Sequence, residues 1–264
     1  MRVVAKSLSV ALGGRTILAD VDLVAEAGAV TVVAGPNGSG KTTMLRALCG
    51  DIAYAGKAFI NGNPVADLPP WRLAELRAVL PQDTALAFPF TVGEVVRIGL
   101  RDAAVLSFTQ AADRVGEALR KVDLAGFSER MYQELSGGER QRVQLARVLC
   151  QIWQPRLPDG PRWLFLDEPV SSLDIRHQLA IMALARDFAD RGGGVIAVMH
   201  DLNLSAMFAD RIVLLRDGGM EAAGEPAATL TDRVLEKVYG CPLRVGAVPA
   251  DSLFVLPQSV ARRV

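Results

Sequence analysis

Between Gly35 and Thr42 the chain reads Gly-Pro-Asn-Gly-Ser-Gly-Lys-Thr, and this segment limits the possible folds more than any other. Three glycines in six residues permit backbone angles that other residues avoid, so the chain can wrap with successive N–H groups pointing inward. The run before it, Ala29-Val30-Thr31-Val32-Val33-Ala34, is β-branched and apolar, as in a strand buried on both faces. After it, Met44, Leu45 and Leu48 share one face of a helix that starts near Lys41 and is stopped by Gly50. A buried parallel strand, a glycine loop and a helix whose positive N-terminal end faces that loop make a polyphosphate cradle. The spacing G-x-x-x-x-G-K-[ST] gives Lys41 the reach to β- and γ-phosphates and Thr42 a hydroxyl for Mg²⁺. The residues expected to line this cradle are Gly35, Pro36, Asn37, Gly38, Ser39, Gly40, Lys41, Thr42 and Thr43.

A phosphate cradle requires a carboxylate that orients the metal, placed on a neighbouring strand. Trp163-Leu164-Phe165-Leu166 is a buried strand that delivers Asp167 and Glu168 at its C-terminal end, the edge where open α/β sheets hold ligands. Asp167 is expected to hold Mg²⁺ and Glu168 to polarise an attacking water. Strand-like runs recur at 195–199 and 211–215, the second entering the turn Asp217-Gly218-Gly219, and a helix over 178–189 separates the first of them from the strand 163–166. From Thr91, which has capping-box spacing to Glu94, to about Trp153 the pattern is helical. These features predict a mostly parallel sheet with helices on both faces and a helical insert.

Leu135-Ser136-Gly137-Gly138-Glu139-Arg140-Gln141-Arg142 closely resembles the signature of the ATP-binding-cassette (ABC) ATPases. Ser136 and Glu139 have capping-box spacing, and a helix N-terminus free of bulky side chains is a second anion site. The resemblance extends in order over positions 8–219. Gln82, after Leu80-Pro81, is similar to the Q-loop residue that contacts metal and water; Ser172 and Asp174, in Ser171-Ser172-Leu173-Asp174, resemble the D-loop; His200 resembles the switch histidine. It implies a P-loop NTPase core over about 1–83 and 153–264, with a small antiparallel N-terminal β region, and a helical subdomain over about 84–152, all one nucleotide-binding domain. It also implies ATP and Mg²⁺ as cofactors, catalytic roles for Glu168, His200 and Gln82, metal contacts from Thr42, Gln82 and Asp167, and a head-to-tail homodimer. In that dimer Ser136, Gly137, Gly138 and Glu139 grip the ATP of the partner. Leu12 occupies the position where the family often places an aromatic ring on adenine, which removes the ring–ring contribution to base binding.

Twenty-nine basic residues balance 29 acidic ones, so no overall electrostatic footprint for nucleic acid exists, and none is expected as ligand. Cys49, Cys150 and Cys241 are far apart and fit free thiols in a reducing compartment. The first residues lack a signal-peptide core, and no run of about 18 apolar residues occurs. A single cassette without a long coiled coil therefore fits a transporter motor at the cytoplasmic face of the inner membrane, docked on two permease subunits and served indirectly by an external solute-binding protein. A non-transport ABC ATPase is the rival class. The stretches 79–92 and 238–240 are similar to importers of iron chelates, haem and cobalamin. The Pro-rich spacer 151–161, Leu12 and the run Ser-Leu-Asp-Ile-Arg-His-Gln ending at Gln178 are similar to haem-import ATPases, so haem is favoured over ferric siderophore and cobalamin. His177 is read as a helix-face residue at the dimer interface, and Arg101-Asp102 as part of the permease-facing surface.

Overall fold

The computed structural model describes residues 1–82, 86, 88–100, 106–249 and 253–260. Arg101-Asp102 lies outside the described residues. β1 (Arg2–Leu12) and β2 (Arg15–Glu26) form a hairpin around Gly13-Gly14. β3 (Val30–Ala34) is buried at every position and leads through the glycine loop into α1 (Lys41–Cys49). The latter ends at Gly50, whose left-handed backbone closes the last turn. β4 (Ala55–Ile60) and β5 (Asn63–Pro64) extend the hairpin into an antiparallel four-stranded sheet ordered β2-β1-β4-β5.

Pro69-Pro70 opens α2 (Pro70–Leu76), which passes directly into β6 (Arg77–Leu80). Three helices follow: α3 (Val92–Arg97), α4 (Phe108–Lys121) and α5 (Gly137–Gln151). All three begin at capping boxes, Thr91 with Glu94, Ser107 with Gln110 and Ser136 with Glu139, as the sequence predicts for the first and third. The Pro-rich spacer is more than a tether. It folds into a two-stranded hairpin, β7 (Arg156–Leu157) with β8 (Gly160–Pro161), and Asn61 Nδ2 donates to the Pro161 carbonyl at 2.8 Å.

β9 (Trp163–Asp167), α6 (Ile175–Asp190), β10 (Gly194–Val198), α7 (Leu202–Phe208) and β11 (Arg211–Arg216) then alternate. β12 (Gly219–Gly224) turns back on β11 through Asp217-Gly218, and α8 (Pro226–Thr229) and α9 (Asp232–Tyr239) follow. The main sheet is ordered β12-β11-β3-β10-β9-β6, parallel except for β12. One apolar cluster, with Leu164, Leu166, Val195, Ala197 and the insert helices, covers one face; the other, with Met44, Leu45, Leu48, Phe165 and the N-terminal strands, covers the opposite face. Each fully buried Leu there contributes about 1.5–3 kcal/mol relative to exposure.

Register places the site. Val198 pairs with Asp167, Val198 also with Val33, and Leu80 with Leu166. Gly35, Gln82, Glu168 and His200 therefore all emerge within two residues of the ends of four adjacent parallel strands, at one sheet edge.

Candidate functional site

A cavity of about 650 Å³ opens at that edge, lined by Ile17, Asn37, Gly38, Gly40, Lys41, Thr42, Thr43, Gln82, Glu168 and His200. Gly35 and Gly40 have positive φ, 145° and 98°, and both are pinned from behind. A Cβ at Gly35 would collide with the Leu215 carbonyl, and one at Gly40 would stand 2.6 Å from Leu18 Cδ2. Neither position accepts a larger residue without moving the loop. Lys41 is 5% exposed and its ammonium donates to the carbonyls of Gly35 at 3.0 Å and Pro36 at 2.9 Å. Burial pushes its pKa down, opposed by the nearby carboxylates of Glu168 and Asp167. The buried Ser39 hydroxyl has no partner among the described residues, so the loop carries a polar group and a cation that an anionic ligand would satisfy.

Thr42 Oγ1 donates to Asp167 Oδ1 at 3.0 Å. Burial raises the Asp167 pKa, the Thr42 hydrogen bond opposes that rise, and the Glu168 charge adds to it. Among the described residues no group of three or more His, Cys, Asp or Glu could form an all-protein metal cage. A hydroxyl beside one carboxylate fits Mg²⁺, which is commonly held by one or two carboxylates together with substrate phosphates.

Glu168 sits one residue past β9 with φ 51°, a left-handed conformation rare for this residue type. Its carboxylate is held on two sides: His200 Nε2 lies 2.6 Å from Oε1 and Gln82 Nε2 donates to Oε2 at 3.1 Å. The three residues named for catalysis from the sequence therefore meet on one carboxylate, beside Lys41 and Thr42.

The signature lies apart from this cavity. Ser136 is exposed at the N-terminus of α5; Glu139 N–H donates to its Oγ at 3.3 Å, while its own hydroxyl donates to Glu139 Oε2 at 2.7 Å. That bond and the Ser136 N–H hold the Glu139 carboxyl below the usual carboxylate range. Gly138 packs against the D-loop, since a Cβ there would lie 3.2 Å from the Ser172 carbonyl. Asp174 is the exposed N-cap of α6, accepting from His177 N–H at 2.9 Å.

A model of the family described as ABC transporter matches residues 18–171. The chain belongs to the ABC transporter family. It is 56% identical over 257 residues, 97% of each chain, to the hemin import ATP-binding protein of Rhizobium johnstonii. It is 57% identical over 258 residues to that of Rhizobium meliloti, covering 97% of this chain and 98% of the other. Among solved structures, an ATP-binding subunit of an ABC transporter superposes with a TM-score of 0.76 at 24% identity, covering 94% of this chain and 95% of that one, which establishes the shared fold.

Three features of this ABC site were not visible in the sequence. Ile17, one strand beyond the Gly13-Gly14 turn, lines the cavity, whereas Leu12 is not among the lining residues. His177 is engaged within its own chain: Nδ1 lies 2.8 Å from Asp174 Oδ2, and Nε2 lies 3.4 Å from Asp123 Oδ2. Gln141, inside the signature but given no role by the sequence, donates from Nε2 to the Glu168 carbonyl at 2.9 Å. The thiols are free, and burial pushes that of Cys150 up to about 12, which leaves it unreactive. No helix among the described residues is long and apolar enough to cross a membrane.

Proposed function

We propose that this chain binds and hydrolyses ATP to energise haem import through a membrane permease. The observation that carries the ATPase reading is the Glu168 carboxylate held between His200 and Gln82, lining one cavity with Lys41 and Thr42. The haem reading is supported by identity of more than half of nearly the whole chain to hemin import ATP-binding proteins.

The loop amides of residues 37–43 and the Lys41 ammonium bind the triphosphate, and the sheet edge presents Glu168 to a water in line with the γ-phosphate. Glu168 takes the proton of that water on a carboxylate oxygen, while His200 and Gln82 fix the carboxylate's direction. Thr42, Gln82 and Asp167 would hold Mg²⁺, which when bound neutralises phosphate charge as it develops. The core covers about 1–83 and 153–264, and the helical subdomain about 84–152. Two copies close head to tail, with Ser136, Gly137, Gly138 and Glu139 of one on the γ-phosphate held by the other, and Ser172 and Asp174 between them. Loss of that bridging charge on hydrolysis lets them part. The dimer docks on two permease subunits at the cytoplasmic face of the inner membrane, and an external solute-binding protein delivers the cargo to the opposite face of the permease.

Reconstitution with candidate permeases and binding proteins tests the cargo. ATPase activity is expected to rise severalfold with haem-loaded binding protein and not with ferric siderophore or cobalamin; stimulation by either of those instead would reassign it. The dimer geometry has its own test. Ser136→Arg, placed in a hydrolysis-arrested Glu168→Gln chain, breaks both sandwiches and should abolish ATP-dependent dimerisation measured by light scattering. A double variant that still dimerises with ATP would remove Ser136 from the interface.

A further inference from the structure

We propose that Gln141 is the positioning residue that sets the Glu168 backbone and thereby ties the signature helix to hydrolysis in its own chain. This rests on the ATPase reading above. The Glu168 carbonyl collects donors because the left-handed turn at φ 51° points it away from the strand ladder. Ser171 Oγ donates to it at 3.2 Å and Ser171 N–H at 3.4 Å, but both come from the same loop, three residues on, and move with it. Gln141 Nε2, at 2.9 Å, is the shortest of the three bonds and comes from a different element, 27 positions away. A left-handed Glu costs energy relative to its ordinary conformations and persists only where neighbours over-determine it.

The helix that carries Gln141 is fixed at its far end too. Gln151 Nε2 donates to the carbonyls of Ala74 and Arg77, each at 3.0 Å, where α2 becomes β6. Between them Gln144 donates to the buried Tyr132 hydroxyl at 3.0 Å and accepts from Arg147 Nε at 2.7 Å. Residues 141, 144 and 151 fall on one face of a helix, so α5 presents a line of amides to the core. The two terminal amides are ten residues apart, about 15 Å along the axis. α5 is therefore a strut attached at one end to the base of β6, whose other end carries Gln82, and at the other end to Glu168. Five residues before Gln141, Ser136 caps the same strut. A displacement of the signature reaches the Glu168 main chain through one side-chain amide. Gln141 is not among the residues that line the cavity; it acts through Glu168.

The test replaces the donor and keeps the shape. Gln141→Met in the full chain should lower kcat for ATP about tenfold or more, because small misplacements of a catalytic group are costly. KM and the Kd of a fluorescent ATP analogue should stay within about twofold, since the Lys41 cradle is untouched. Gln141→Glu, which offers an acceptor to a carbonyl, should act in the same direction, and it covers the case in which the Met variant does not fold. A folded variant of either kind with wild-type kcat overturns the proposal, as does a parallel change of kcat and KM, the mark of a merely structural loss. A wild-type chain that hydrolyses no ATP would instead overturn the ATPase reading itself.

Discussion

Glu168→Gln is expected to reduce ATP hydrolysis by about 10²- to 10⁴-fold, the contribution of a positioned general base, while ATP affinity stays within a few-fold. The substitution is nearly isosteric. An amide can still accept from Gln82 Nε2 and meet the His200 ring, so the contacts at 3.1 and 2.6 Å need not be abandoned and the cavity keeps its shape. What disappears is the capacity to take a proton. Lys41 and Thr42, in the lining of the same cavity, continue to hold the phosphates. Two copies closed on ATP then lack the event that opens them, and a stable dimer should accumulate in gel filtration with ATP but not with ADP. A variant that remains monomeric with ATP and turns over normally would remove Glu168 from the role of base.

The cradle and its carboxylates were legible because their signals are local. β3 and β9 are buried at every position, so they read as nearly continuous apolar runs, the first ending in the glycine loop and the second in Asp167 at the sheet edge. Ser136 with Glu139 and Thr91 with Glu94 announced helix starts through a three-residue spacing that the capping bonds require. The features that escaped depend on contacts between distant positions. β6 is only four residues long, follows α2 without a break, and becomes a strand through pairing with β9. Yet it is what carries Gln82 to the edge where Glu168 emerges. The Pro-rich spacer gave no strand pattern because β7 and β8 are two residues each and are anchored by Asn61, about 100 positions away. Ile17 displaced Leu12 from the cavity wall because the β1–β2 hairpin crosses the loop beyond its turn rather than at it. Gln141 is one of several polar residues in a signature helix, and nothing in its spacing distinguishes the one that reaches Glu168. His177 reads from the sequence as a helix-face residue at the dimer interface, and nothing in its spacing points to Asp123, 54 positions away, which the fold brings beside it.

Lys41→Ala is expected to act at the step before chemistry and to weaken ATP binding about 10²-fold. The Lys41 ammonium sits at the floor of the cradle, 5% exposed, and donates to the carbonyls of Gly35 and Pro36. Those carbonyls are the loop's own, so the side chain both braces the loop and supplies its only charge of the sign a triphosphate requires. Burial disfavours the ammonium, which pushes its pKa down, and Asp167 and Glu168 work against that shift. An alanine leaves the same two carboxylates beside the cavity without the ammonium that offsets them. Charge-assisted hydrogen bonds contribute about 1.5–3 kcal/mol each, and every 1.4 kcal/mol is tenfold in Kd. Loss of one such bond together with the uncompensated carboxylates therefore corresponds to about two orders of magnitude. Fluorescent-nucleotide titration reads this directly, and the contrast with Glu168→Gln separates the two roles: one variant binds without turning over, the other fails to bind. A Lys41→Ala chain with wild-type affinity would mean that the loop amides alone hold the nucleotide, and Lys41 would then be left with bracing the carbonyls of Gly35 and Pro36.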